Sequence, residues 1–212
     1  MAYDPRMASA LSGATLAQLA YWRGGVQPVL VPEVSAQRPI LYSFRDLVAL
    51  RTFVFLRQAR PLQTIRKALS TLESIGKTEH LSRYVLVPQG RKRSIVLLEE
   101  DGRGGVELVD KPGHEVTVVK LGDVVRAFPL DDIEVPNLAQ PRGHISVNPS
   151  VRSGHPVVKG TRVAYELVAG LVRDGVPPSA IREYYPGVNA AGARDAASFA
   201  DYVDLVETRR AA

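Results

Sequence analysis

Apolar positions recur at helical spacing along roughly the first third of the chain and again in its last quarter, and between these stretches they fall in short unbroken runs. Asp4 precedes Pro5 and a run of small and apolar residues that ends at Ser12-Gly13. This predicts a short helix with an N-cap, a proline in its first turn and a glycine stop. Thr15 then caps a second helix, TLAQLAYWR, on which Leu16, Leu19 and Ala20 share one face while Gln18 and Tyr21 lie elsewhere. The stretch 24–40 mixes glycines and prolines with valines, a composition for an irregular loop or a small two-stranded wing. Ser43 caps FRDLVALRTFVFLRQA, with Asp46 completing an acidic capping box, and Pro61 opens LQTIRKALSTLES, which Gly76 stops.

Beyond Gly76 the pattern changes to β-branched runs. RYVLVP and SIVLLEE flank QGRKR, which reads as a hairpin with a basic tip, and VELVD and EVTVVKLG continue as strands around the turn 111–114. A single helical turn is expected over 122–128, and the proline-rich 131–142 reads as a linker. From Ile145, two short extended segments are broken by Pro149, Gly154 and Pro156. Three helices follow: AYELVAGLVRDG, PPSAIREYYP and a run from Asn189 to about Glu207 with Ala193, Ala197, Ala200 and Val203 along one face. The expected class is α+β, mainly α. The division expected is a winged helix-turn-helix over 1–80, a β-rich connector over 81–130, a linker over 131–144 and a helical module over 145–207.

Charge sharpens this division. Residues 1–98 carry a net +9, 99–139 a net −6 and 140–212 a net +2, which together recover the +5 of the whole chain. A basic first half beside an acidic middle is the footprint of one domain that meets a polyanion and others that do not. The 212 residues have ordinary hydrophobic content and no cysteine, which excludes disulfides, thiolate-zinc sites and cysteine nucleophiles. No apolar run approaches the ~18 residues of a spanning helix and no secretory leader is visible, so a cytoplasmic location is expected. No Ser-His-Asp set, Gly-rich phosphate loop or paired-carboxylate pattern stands out, and the chain reads as a non-enzyme. His144 and His155 have no partner at ligand spacing, so neither metal nor cofactor is expected.

The string LSGATLAQLAYWRGG, followed by LYSFRDLVALRTFVFLRQA and LQTIRKAL, resembles the DNA-binding domain of MerR-type regulators over residues 4–75. Regulators of that type continue into a long coiled helix, whereas here strands follow Gly76. The likeness implies a recognition helix presenting Thr15, Gln18 and Tyr21 to base edges and phosphates. Arg23, Arg38 and Arg45 would grip the sugar-phosphate backbone, and the tip Arg91, Lys92 and Arg93 would reach flanking DNA. Residues 145–206 resemble VapB-type antitoxins more sharply. The order Ile-Ser-Val-Asn-Pro, Gly-His-Pro-Val-Val-Lys-Gly-Thr-Arg-Val, an Asp-Gly turn and Glu-Tyr-Tyr-Pro-Gly-Val carries that likeness.

In this second block, Gly160 permits a sharp turn into a helix that Thr161 can cap, placing Lys159 and Arg162 near phosphate. The surplus apolar surface of the last module's helices suggests a homodimer on a palindromic operator. The likeness implies an antitoxin of a type II toxin–antitoxin module that neutralises a PIN-like ribonuclease toxin and binds its own promoter DNA as an autorepressor. Arg209 and Arg210 in the polar tail are candidates to enter the toxin's acidic site. The alternative is a stand-alone MerR-like transcriptional regulator whose ligand occupies the strand region 83–120.

Overall fold

The computed structural model describes residues 2–25, 28–77, 79–89, 94–98, 104–110, 112, 115–117 and 124–208. They form an α+β fold, mainly helical, in two compact units. One unit comprises Met1–Leu47 with Val125–Ala212, and the other Val48–Val124.

In the first unit, α1 (Pro5–Ser12) and α2 (Leu16–Arg23) are joined by a turn in which Gly13 is left-handed (φ 80°). Asp4 caps α1 by accepting from the Met7 amide at 2.8 Å. Helix α3 (Phe44–Ala59) starts in this unit with the expected capping box: the Ser43 amide donates to Asp46 at 2.7 Å and the Asp46 amide to Ser43 Oγ at 2.9 Å. Between α2 and α3 no two-stranded wing forms among the described residues. Single antiparallel bridges, Tyr3 to Tyr42 and Ser35 to Leu41, stand there instead. A wing needs a continuous backbone ladder, and Pro28, Pro32 and Pro39 lack the amide hydrogens to build one.

Of the helical turn expected over 122–128, residues 122–123 lie outside the described residues and Val124 and Val125 form a turn, whereas the linker expected over 131–142 is packed structure. Strands β5 (Phe128–Leu130) and β6 (Ile133–Val135) form a hairpin, and Val135, Pro136, Leu138 and Pro141 behind it are buried. A two-strand pair, β7 (Ile145–Ser146) with β8 (Val157–Val158), leads into α5 (Tyr165–Arg173), α6 (Ile181–Tyr184) and α7 (Ala190–Thr208). Helix α5 packs on α7, with Tyr165 meeting Phe199 edge-on at 4.8 Å. The other face of α7 is covered by α1, whose residues Met7 to Ser12 are all buried. Part of the apolar surface of this module is thus covered within the chain, while Leu167, Tyr184 and Leu205 stay exposed. The boundaries at 80 and 145 fall away for the same reason, because the first helix pair and the last module share one core.

The second unit holds the rest of α3, then α4 (Leu62–Ser74) and a four-stranded antiparallel meander of β1 (Leu86–Gln89), β2 (Ser94–Leu98), β3 (Gly104–Glu107) and β4 (Glu115–Thr117). Phe53, Leu56, Ile65, Ala68, Ile95 and Val96 are fully buried, and α4 lies on β2. The described parts of the β-branched runs pair as antiparallel strands, while the basic tip at 90–93 and most of the turn over 111–114 lie outside the described residues.

Candidate nucleic-acid interface

Helix α2 owes its start to a reciprocal cap. Thr15 Oγ1 accepts from the Gln18 amide and Gln18 Oε1 accepts from the Thr15 amide, each at 2.8 Å. Leu19 and Trp22 are buried, so the exposed face is Ala17, Ala20 and Tyr21, related by steps of three and four residues. Ala20, expected on the inward face, is therefore on the outer one, because the bulkier Trp22 takes the core. At the far end the Trp22 carbonyl accepts from the amides of Val29 (2.7 Å) and Leu30 (3.2 Å), so the loop folds back and satisfies an otherwise orphaned acceptor.

The cap changes what Gln18 offers. Bidentate recognition of adenine needs the amide oxygen as well as the amide nitrogen, and the oxygen is already committed to the helix start. Its Nε2 donors are outside the cap, whereas its oxygen would have to share its lone pairs between the Thr15 amide and a base edge. Tyr21 is 58% exposed and projects from the same end of α2 as Arg23.

The arginines expected on the backbone differ in their surroundings. Arg23 is half-buried with its Nη1 3.5 Å from the Tyr42 hydroxyl. Burial raises the Tyr42 pKa above the usual tyrosine value, and Arg23 partly offsets that rise. Arg38 is exposed on the loop. Arg45 is ion-paired to Glu33 at 3.2 Å, and Glu33 also accepts from Ser43 Oγ at 2.6 Å, so a phosphate would have to compete with a fixed carboxylate. Arg91, Lys92, Arg93, Arg209 and Arg210 lie outside the described residues.

In the last module, Gly160 takes the left-handed conformation (φ 81°) and Thr161 braces the turn. Its Oγ1 donates to the Val158 carbonyl at 2.8 Å and accepts from the Val163 amide at 3.0 Å. Thr161 therefore does not cap α5, whose N-cap is Ala164. Lys159 and Arg162 are both exposed and both line an open cleft of about 800 Å³. The two histidines of the module are structural ties: His144 contacts Asp195 through Nδ1 at 2.8 Å, and His155 contacts Glu166 through Nε2 at 2.8 Å.

The residues that join the first helices to the last are ones that sequence patterning passed over. The Tyr3 hydroxyl donates to the Gly154 carbonyl at 2.8 Å and the Tyr202 hydroxyl to the Ala10 carbonyl at 3.2 Å. Arg6 reaches Asp204 at 3.3 Å and also Glu207, while Arg173 bridges Asp201 and Asp204 at 2.7 and 2.8 Å. Burial raises the pKa of both Tyr3 and Tyr165 far above the ordinary tyrosine value of 10.0. The signal for this docking was MASALS, a segment small enough on every side to be buried all round.

No helix among the described residues is long and apolar enough to cross a membrane. No curated protein matches the chain. The fold as a whole is similar to the crystal structure of Rv2018 from Mycobacterium tuberculosis, with a TM-score of 0.50 and 22% identity over 92% of this chain and 96% of that one. Residues 145–200, which include the Lys159–Arg162 turn and most of α7, match a family described as a protein of unknown function (DUF433).

Proposed function

We propose that this chain binds double-stranded operator DNA through α2 and acts as the antitoxin of a type II toxin–antitoxin module, repressing its own promoter and neutralising a PIN-like ribonuclease. The observation that carries the DNA-binding part is the outer stripe of α2. It is the second helix of a glycine-turned pair, its large side chains Leu19 and Trp22 face inward, and it presents Ala17, Ala20 and Tyr21 outward. Two methyl groups let a helix backbone sit deep in a major groove and contact thymine methyls, while Tyr21 reaches a phosphate or base edge. Arg23 supplies charge at the end of this helix and Arg38 would add to it from the loop, and such contacts set affinity rather than sequence preference.

The toxin-neutralising part rests on the likeness of residues 145–206 to VapB-type antitoxins, and a homodimer would double the DNA contacts. Because α1 packs on α7, the reading helix pair and the antitoxin-like module belong to one folded unit. A nuclease bound to α5–α7 would then bias the same core that positions α2, a direct route to toxin-dependent repression. Co-expression with the adjacent reading frame is the test. Rescue of growth together with co-purification, and a retarded band with the DNA upstream of the pair, are expected. Continued toxicity without a complex would remove the antitoxin part, and no retardation would remove the repressor part.

A further inference from the structure

The cleft beside the Lys159–Arg162 turn brings two cationic side chains together with an apolar wall. Lys159 and Arg162 stand three residues apart on a turn locked by Gly160 and the two Thr161 hydrogen bonds, so the backbone that carries both cations is fixed at the cleft. Neither side chain has a carboxylate partner among the described residues, unlike Arg6, Arg45 and Arg173 elsewhere in the chain. Phe44, Pro149 and Val151 line the same cleft and make it predominantly apolar, a surface on which a planar ring can stack. Asn148 also lines it; its Oδ1 accepts from the Ser150 amide at 2.9 Å, which leaves its Nδ2 donors for a polar ring edge.

The backbone next to the cleft is held in an unusual state. Directly after Val151, the residues Arg152, Ser153 and Gly154 are all left-handed, at φ 44°, 54° and 79°. Non-glycine residues pay for that conformation with steric strain, which persists only where the surroundings enforce it and which gathers at ligand sites. Here Tyr3 holds the Gly154 carbonyl and Arg152 Nη1 approaches the Arg162 carbonyl at 3.4 Å, tying the strained turn to the cationic one.

We infer that this cleft is a nucleotide site, in which Lys159 and Arg162 take the phosphates and Phe44, Pro149 and Val151 take the base. Its volume of about 800 Å³ falls within the range of small-molecule sites. Lys159 and Arg162 are thereby reassigned from operator contacts to a small effector. The inference holds whether the chain is an antitoxin or a stand-alone regulator, and it moves the ligand away from the strand region.

The test is titration of the full-length chain with ADP and GDP by isothermal calorimetry, with adenosine and inorganic phosphate as part-ligands. At least one nucleotide should bind, and each part-ligand should bind at least about tenfold more weakly, since phosphate and base contacts contribute separately. A Lys159→Ala/Arg162→Ala double variant should weaken nucleotide binding by about 100-fold, from the loss of charge-assisted phosphate contacts. Both side chains are exposed, so its thermal unfolding should match the unsubstituted protein. Phe44→Leu should weaken ADP without changing inorganic phosphate. The proposal is overturned if neither nucleotide binds at millimolar concentration, or if the double variant binds them unchanged. It is equally overturned if that variant keeps nucleotide affinity and loses operator affinity instead.

Discussion

At the scale of single residues, the side chains most readily taken for base readers at the start of α2 are engaged in building it. Thr15 and Gln18 close a reciprocal cap, so Thr15→Ala should lower unfolding free energy by about 1 kcal/mol in a urea titration. Gln18→Ala should have a stability cost of the same order and change operator affinity little. A large loss of affinity with unchanged unfolding would instead show Gln18 reading a base. The buried tyrosines give a pH signature. Their folded pKa lies above the unfolded 10.0, so the stability they confer is intact below about pH 10. Above it the unfolded chain releases protons that the folded one retains, and stability should fall by up to about 1.4 kcal/mol per pH unit for each such tyrosine. Tyr3→Phe should flatten that alkaline decline while removing the hydrogen bond to Gly154; an unchanged slope would mean Tyr3 ionises freely in the folded state.

At the scale of elements, local signals were legible wherever a cap or stop is encoded by a few neighbouring residues. Asp4, Thr15, Ser43 with Asp46, Pro61 and Gly76 all mark helix ends as expected. The strands of the second unit followed from their β-branched runs. Failures came where prolines were read as spacers. Pro136 and Pro141 are buried parts of the first unit, because a residue without an amide donor is well suited to dense packing off a hairpin. Periodicity also identified the apolar face of α7 without revealing its partner. The closeness of α7 to β8 can be tested at Gly192, where an added Cβ would meet Val158 Cγ1 at 2.9 Å. Gly192→Ala should therefore destabilise by roughly 1–3 kcal/mol despite its better helix propensity, since the valine methyl has little room to yield. An increase in melting temperature would show that α7 and β8 are not so close.

At the scale of the whole molecule, the chain order does not follow the folded units. The first 47 residues and the last 88 make one of them, with the α3–β4 stretch inserted between. Sequence reading divides a chain at successive boundaries, so it separated a helix pair from the module that completes its core. One consequence is that a fragment of residues 1–80, although it carries the whole MerR-like likeness, should lack a cooperative thermal transition. Without α7, the buried face of α1 is open to water. A cooperative melt at the full-length temperature would show the first helices to be self-sufficient.

The central claim is that the outer stripe of α2 meets DNA, and fluorescence anisotropy with labelled duplex from upstream of the reading frame addresses it most directly. Ala20 is exposed, so Ala20→Asp should fold normally while placing a carboxylate against the phosphates and groove edge. The expected result is operator binding by the unsubstituted chain, weakened at least about tenfold by Ala20→Asp with an unchanged melting temperature. Equal affinity of the two proteins for the duplex would contradict it and place the DNA contact, if any, on another surface.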